Sequence, residues 1–266
     1  MAQISNLAYI HPEAQLGKDV IVDAFAFIDK NVVIGDGCHI HPHASILSGA
    51  RIGKNNEIFE NAIISATPQD FRWKGEDSYV IIGDNNKIRE QVIINRGIRK
   101  ESATKIGDNS FVLAQTHIGH DSEIGNHCVI GNAVKIAGDV KIGNYTILSS
   151  NALVHENFQI GEWVLIKGGS RVTGNVPPYA VMAHNPISYF GVNTYILKKA
   201  HFTDEIIEDI AKCYRHLYQT GTSAFNALRR IKDDVEPSKE RDAIIAFTEG
   251  HNLKLAALPV QDSDDY

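Results

Sequence analysis

Sulfur and tryptophan are scarce in this chain: three cysteines, two methionines and two tryptophans in 266 residues. Three cysteines are too few for the disulfide framework of a small secreted domain. Cys38 and Cys128 fall where small apolar residues recur, and read as reduced core residues. No stretch of about twenty apolar residues occurs, so no membrane-spanning helix is expected. The first residues lack the basic and apolar regions of a signal peptide, and a cytoplasmic soluble protein is expected. Positive charge is also short. The 26 Lys and Arg face 32 Asp and Glu, and the net charge of −6 argues against a nucleic-acid partner.

What the chain has is a six-residue repeat. An aliphatic residue followed by Gly recurs as Leu16-Gly17, Ile34-Gly35, Ile52-Gly53, Ile82-Gly83, Ile106-Gly107, Ile124-Gly125, Ile142-Gly143 and Ile160-Gly161. Stepping by six from Ile10 lands on aliphatic residues through Ile64, from Ile82 to Ile94, and from Ile106 to Val172; Asp70, Glu76 and Lys100 are the exceptions. A smaller set, including Ala8, Ala14, Val20, Ala26, Val32, Cys38 and Ala44, sits two residues before each. Neither a 3.6-residue period nor simple alternation explains this. Three hexads close one triangular coil, and the aliphatic side chains stack inside it. Coils at strand spacing predict a parallel β-helix of about eight or nine turns, on the order of 40 Å long. Its corners need positive φ or side-chain turns, which suits Gly53-Lys54-Asn55, Gly83-Asp84-Asn85 and Gly107-Asp108-Asn109.

The register breaks near 67–78 and 95–105 and resumes each time, so both segments are excursions from an intact prism. Long loops on a rigid scaffold are commonly functional. The prism is expected to fill residues 1–176, with Pro177-Pro178 marking the boundary of a helical domain over 177–266. Thr203 can cap a helix to about Tyr218, closed by Gly221. Ser223 can start a second to about Val235, and Ser238 a third to about Ala246. Gln261 to Tyr266 read as a frayed acidic tail.

The hexad register also assigns directions. Ile118 points inward, and His117 and His120 flank it on the outer face at a corner. Stacking by eighteen places Gly138 over His120, Glu156 above that, and Asp139 over Asp121. A neutral imidazole beside a carboxylate suits a general base, and a glycine N–H alongside suits an oxyanion. The alternative is an exposed surface histidine. Twelve histidines also allow a zinc reading. His39, His41 and His43 alternate, but Ile40 and the corner are expected to spoil a ligand array.

The segments His117-Ile-Gly-His-Asp121, Pro68-Gln-Asp-Phe71, Ile94-Asn-Arg-Gly97, Val176-Pro-Pro-Tyr179 and Phe190-Gly-Val-Asn193 occur in the chain order expected of one family. With the two loops and the helical tail, they resemble the UDP-N-acetylglucosamine O-acyltransferases of lipid A biosynthesis, over essentially the whole chain. That resemblance implies a left-handed coil and a homotrimer with sites between neighbouring prisms. It implies transfer of a 3-hydroxyacyl chain from acyl carrier protein to the 3-hydroxyl of UDP-N-acetylglucosamine, with no cofactor and no catalytic metal. His120 corresponds to the general base, Asp121 to the residue that orients it, and Gly138 to the oxyanion donor. Asp70, Arg72, His117, His155, Asn193 and Lys199 correspond to sugar-nucleotide contacts, and Gly168 to the position that limits acyl length. An unobstructed glycine there implies a long acyl chain, roughly C14 or more.

Three positions depart from the family pattern. Asp139 and Asn95 stand where many members have histidine, and Glu156 where they have glutamine. The extra negative charge leaves open an amino-sugar acceptor acylated on nitrogen. The related N-acyltransferases carry an additional N-terminal uridine-binding domain, for which hexads beginning by Ile10 are expected to leave no room. A zinc hydratase like the γ-class carbonic anhydrases, which share the prism, is the alternative of another class. Arg96, Arg99, Lys100, Lys198, Lys199, Arg229 and Arg230 could receive an acidic carrier protein, or form an ordinary solvated surface.

Overall fold

A computed structural model describes residues 3–218, 222–251 and 255–256. The expected stop at Gly221 and the tail from Gln261 to Tyr266 lie outside the described residues. The hexads form a left-handed parallel β-helix with three long sheets of eleven, nine and eight strands. Most strands are two residues long, and each pairs with the strand one coil away, as in Val112↔Ile130 and Ile118↔Ile136. The sequence offset between partners is eighteen residues, except where the loops intervene. Ile58 pairs with Ile88, and Ile88 with Val112, so the two loops leave the ladder unbroken.

Ile28, Ile40, Ile58, Ile88, Ile118, Ile130 and their equivalents are fully buried in one continuous column. Each such side chain contributes about 1.5–3 kcal/mol by leaving water. Ile10 and Leu16 are only partly buried, because no full coil covers them from the N-terminal side. Cys38 and Cys128 are buried, free thiols, as the register implies.

The corners adopt the positive φ expected of them. Outside the loops, positive φ recurs every sixth residue, three beyond the inward aliphatic, and mostly on residues other than glycine. Asn55 (54°), Asn85 (59°) and Asn109 (56°) adopt it, but so do Phe25 (63°), Ala133 (56°) and Trp163 (59°). Each costs on the order of 1 kcal/mol. Hydrogen bonds between coils offset the cost, as where Trp163 N–H donates to Asn144 O at 2.9 Å. The glycine after each aliphatic residue serves a different need. A Cβ on Gly35 would lie 2.6 Å from the carbonyl oxygen of Gly53, so the coils could not approach.

Beyond Val172 the chain is not wholly helical. The strand Ala180–Ala183 extends the first sheet by pairing with Leu165–Ile166, then turns into an antiparallel partner, Ser188–Val192. Helices α1 (Thr194–Lys199), α2 (Asp204–Tyr218), α3 (Ala224–Asp234) and α4 (Lys239–Gly250) follow. The three expected caps are present: Thr203, Ser223 and Ser238 each accept an N–H from the first turn. Tyr189 stacks against both Tyr214 and Tyr218 of α2, and the Tyr214 hydroxyl donates to Pro178 O. Those contacts fasten the helices over the end of the prism.

Candidate active site

The second sheet delivers His117 and Ile118, and the chain then turns the corner to the third sheet through Gly119, His120 and Asp121. Ile118 is fully buried, while His117 lies on the outer face between Ile93 and Lys135. Burial, then the Lys135 charge, lowers the pKa of the His117 imidazole. His120 is not the exposed histidine that a bare corner would give; it is only 7% accessible. The two loops cover it.

The first loop brings Asp70, whose Oδ2 lies 3.4 Å from His120 Nε2. Arg72 donates to Asp70 from its backbone N–H at 2.8 Å and from Nη2 at 2.7 Å. Those bonds hold the Asp70 carboxyl well below the usual carboxylate range. The second loop closes on Asp121. Its Oδ2 accepts from Ile98 N–H at 2.9 Å and lies 3.0 Å from His120 Nδ1. Burial alone would raise the Asp121 carboxyl. The hydrogen bonds from His120 and Ile98, with the nearby Ser102 hydroxyl and the Arg99 charge, outweigh it and bring the pKa down to about 2. Asp121 is therefore ionised at neutral pH and can only accept, so Nδ1 is the nitrogen that donates to it.

Gly138 lies against the imidazole: a Cβ there would fall 2.3 Å from both Cε1 and Nε2 of His120. Asp139 N–H donates to His120 O at 2.9 Å, which fixes the two coils together. Beside this corner, a cleft of about 540 Å³ runs along the second sheet, lined by His117, Lys135, Leu153, His155, Glu156 and Arg171. Arg171 Nε donates to His155 Nε2 at 2.6 Å.

Two arginines stand over these carboxylates: Arg72, expected at the sugar-nucleotide side, and Arg99, which the sequence grouped only with the basic residues for a carrier protein. Arg99 reaches from the second loop, with Nη2 2.9 Å from Asp139 Oδ1 and Nη1 3.4 Å from Asp121 Oδ2. Arg72 interacts electrostatically with Glu156 and Asp139 as well as with Asp70. Both carboxylates that depart from the family pattern thus face an arginine. Arg96 is likewise engaged, donating from Nη1 to Ser48 O at 2.9 Å and lying over the Trp73 ring. Arg96 and Arg99 therefore tie the loops down. Asn95 is buried and donates from Nδ2 to Thr67 O at 2.7 Å, joining the start of one loop to the start of the other. Gly97 is needed because a Cβ would lie 2.7 Å from Asp121 Oδ1.

The remaining candidates are elsewhere on the triangle. Gly168 is exposed at the corner between the first and second sheets. Asn193 is buried at the corner between the third and first sheets, where its Nδ2 donates to Trp163 O at 2.9 Å. Lys199 ends α1 with its ammonium 4.6 Å from the Tyr195 ring. Within one chain, neither Asn193 nor Lys199 lines the cleft beside His120. The zinc-hydratase alternative needs histidines converging at His120, yet both its ring nitrogens face carboxylates. Among the described residues, the side chains with grouped metal-ligating atoms are Asp23, His39 and His41. That grouping also corrects the expectation that the corner separates these histidines: the rings of His39 and His41 stack 4.0 Å apart.

Residues 175–254 match the family described as Udp N-acetylglucosamine O-acyltransferase, domain 2. Residues 103–138 match the bacterial transferase hexapeptide repeats, and residues 4–100 the GMPPB C-terminal domain. The acyl-[acyl-carrier-protein]–UDP-N-acetylglucosamine O-acyltransferase of Syntrophobacter fumaroxidans is 39% identical over 247 residues, covering 92% of this chain and 96% of its own. The chain belongs to this O-acyltransferase family. The corresponding enzyme of Thermodesulfovibrio yellowstonii is 36% identical, over 94% of this chain and 98% of its own. The crystal structure of LpxA, a UDP-N-acetylglucosamine acyltransferase from Bacteroides fragilis, is 43% identical with a TM-score of 0.91, covering 96% of this chain and 98% of that one. The Francisella novicida UDP-N-acetylglucosamine acyltransferase is 36% identical with a TM-score of 0.89, over 96% of this chain and 93% of that one. This member of the family is an acyltransferase on a left-handed β-helix.

Proposed function

We infer that this acyltransferase moves a 3-hydroxyacyl chain from acyl carrier protein to the 3-hydroxyl of UDP-N-acetylglucosamine, the opening step of lipid A synthesis, with His120 as general base. The observation that carries this reading is the His120–Asp121 pair. A buried, ionised carboxylate holds Nδ1, and Nε2 sits beside Gly138, next in the chain to Ala137, which lines the cleft with His117. Nε2 removes the proton of the sugar hydroxyl as its oxygen attacks the thioester carbonyl carbon. The oxyanion forms beside the Gly138 N–H. Its collapse breaks the C–S bond, and the proton on Nε2 passes to the departing thiolate. No acyl-enzyme is required.

Asp70, Arg72, His117, His155, Glu156 and Asp139 provide the polar surface for the sugar nucleotide near His120. Asn193 and Lys199 lie at another corner of the same prism, which favours a homotrimer in which a neighbouring copy supplies them. Of the basic residues suggested for the carrier protein, Arg99, Lys100, Lys198, Lys199, Arg229 and Arg230 are exposed and remain candidates. No helix among the described residues is long and apolar enough to cross a membrane. A cytoplasmic reaction fits that fact and the free thiols.

A hydroxyl acceptor is favoured over an amine. An ammonium acceptor would gain most from an uncompensated carboxylate, and here Asp139 is paired with Arg99 while Glu156 faces Arg72. The test is acyl transfer from purified acyl carrier protein thioesters to a panel of UDP-sugars. Turnover with UDP-N-acetylglucosamine, lost in His120→Ala, is expected. Turnover confined to an amino sugar would replace the acceptor, and an active His120→Ala variant would remove the base.

A further inference from the structure

The first sheet carries a second cluster of ionisable side chains, remote from His120. His39 lies on its outer face, between Ile21 in the coil before and Glu57 in the coil after. Asp23 and His41 occupy equivalent positions on successive coils, each just past the end of its strand. Backbone hydrogen bonds of 2.9 Å, from Asp23 N–H to Ile40 O and from His41 N–H to Ile58 O, fix both positions to the ladder.

The side chains converge. Asp23 Oδ2 is 2.7 Å from His39 Nε2, and the His39 and His41 rings are stacked at 4.0 Å with 23° between their planes. One ligand atom from each of the three lies within 4.8 Å of the other two. The Phe59 ring, 4.5 Å away, supports the far side of His41. Glu57 Oε1 is 3.2 Å from His41 Nε2, and Glu60 Oε1 is 3.7 Å from His41 Nδ1. The side chains of His39 and Asp23 keep 32% and 36% of their accessibility, so an ion could reach them from solvent. A hydrogen bond to Asp23 needs one imidazole. Two stacked imidazoles with carboxylates on several sides are more than that pair requires.

We propose that Asp23, His39 and His41 form a binding site for a divalent transition-metal ion of the zinc type. Two imidazole nitrogens and one carboxylate oxygen suit zinc and its first-row neighbours, and are too few hard oxygen donors for calcium or magnesium. Glu57 and Glu60 flank His41 and are placed to orient its ring or to supply a further oxygen. Because Asp23 belongs to one coil and both histidines to the next, the ion clips adjacent coils near the N-terminal end of the prism. There Ile10 and Leu16 are only partly covered. The ion binds the folded arrangement and so stabilises it. His43 is not part of the site; its ring stacks on Phe25 at the following corner.

The experiment is titration of untagged, chelator-treated full-length protein with zinc chloride, read by calorimetry and by thermal unfolding. One zinc per chain and an unfolding temperature that rises with zinc are expected. His39→Gln and His41→Gln should each weaken binding by about tenfold or more, and His120→Ala should leave it unchanged. Absence of zinc binding overturns the proposal. So does unchanged affinity in both histidine variants, or loss of the zinc in His120→Ala alone. If either variant fails to fold, zinc K-edge absorption on the wild-type protein decides: two imidazoles with oxygen ligands support the site, and any other ligand set refutes it.

Discussion

Gly138 and His120 are in contact one coil apart, with no space between them for a side chain. A Cβ on residue 138 would lie 2.3 Å from Nε2, the nitrogen proposed to act as the base. The expected outcome for Gly138→Ala is therefore a displaced imidazole. Acyl transfer should fall by roughly 100-fold or more, as when an active-site group is shifted by about 1 Å. Denaturation should change by far less than a buried truncation would cause, since the imidazole can move toward the cleft. Steady-state kinetics beside a urea melt checks this. Normal turnover would remove Gly138 from the site.

The Arg99–Asp139 pair predicts coupling between the second loop and the sugar side of the site. Arg99→Ala leaves Asp139 and Asp121 without their nearest cation, and should lower kcat/KM with UDP-N-acetylglucosamine by about tenfold. Asp139→Asn in that background should recover part of the loss, with an interaction energy of about 0.5–1 kcal/mol, modest because Arg99 is more than half exposed. A double-mutant cycle gives the value. Strict additivity would mean that the pair is incidental.

Asp121 predicts a dependence on pH. Its carboxyl is pulled down to about 2 when folded, below the ordinary 3.8 of an aspartate. Because the folded value is depressed, the ionised form contributes stability that is fully present above about pH 4 and is lost as pH falls through about 2. The contribution is about 2 kcal/mol. Asp121→Asn should be less stable than wild type at pH 7, with the gap closing through that window in acid. The variant should also lose about 10²–10⁴-fold in turnover, since an amide no longer selects the Nδ1-protonated tautomer. Chemical denaturation at several pH values, beside a rate profile, separates the two effects. A stability gap that persists at pH 2 would show that the carboxylate charge is not its source.

The parts of this molecule that were legible in the sequence are those that repeat. Each hexad makes the same contacts as the last, so Ile118 inside, His120 at a corner and Gly138 over it followed from counting alone. Helix caps were legible because Ser223 and Ser238 act on residues three positions away. The loops follow no such rule. Arg99 meets Asp139 across 40 positions of sequence, and Arg96 meets Ser48 across 48. No local pattern encodes either encounter, which is why a histidine read as exposed is buried. The hairpin after Pro178 was missed for a related reason. Its strands break the six-residue register and gain their stability from Leu165–Ile166 and from the tyrosines of α2. Helix α1, at six residues, is too short to show a period.

Gly168 provides the prediction that bears most directly on the product. It sits at the corner opposite His120 on the second sheet, and the cleft along that sheet is lined by Leu153, Lys135 and Arg171. A Cβ at residue 168 would meet Ser150 O at 3.1 Å and Ser149 Cβ at 3.9 Å, so a small side chain fits with a shift of a few tenths of an ångström. A longer one must extend outward, because the coil behind it is filled. If an acyl chain runs past this corner, Gly168→Met would shorten the space available to it. Chains of roughly C14 or more should then lose at least tenfold in kcat/KM, which corresponds to a few methylenes at about 0.8 kcal/mol each. Chains several carbons shorter should be used as well as before, or better. Turnover of wild type and variant across a series of 3-hydroxyacyl carrier protein thioesters reads this directly. A wild-type preference for short chains would reject the open groove, and an unchanged profile in the variant would place the end of the acyl chain elsewhere.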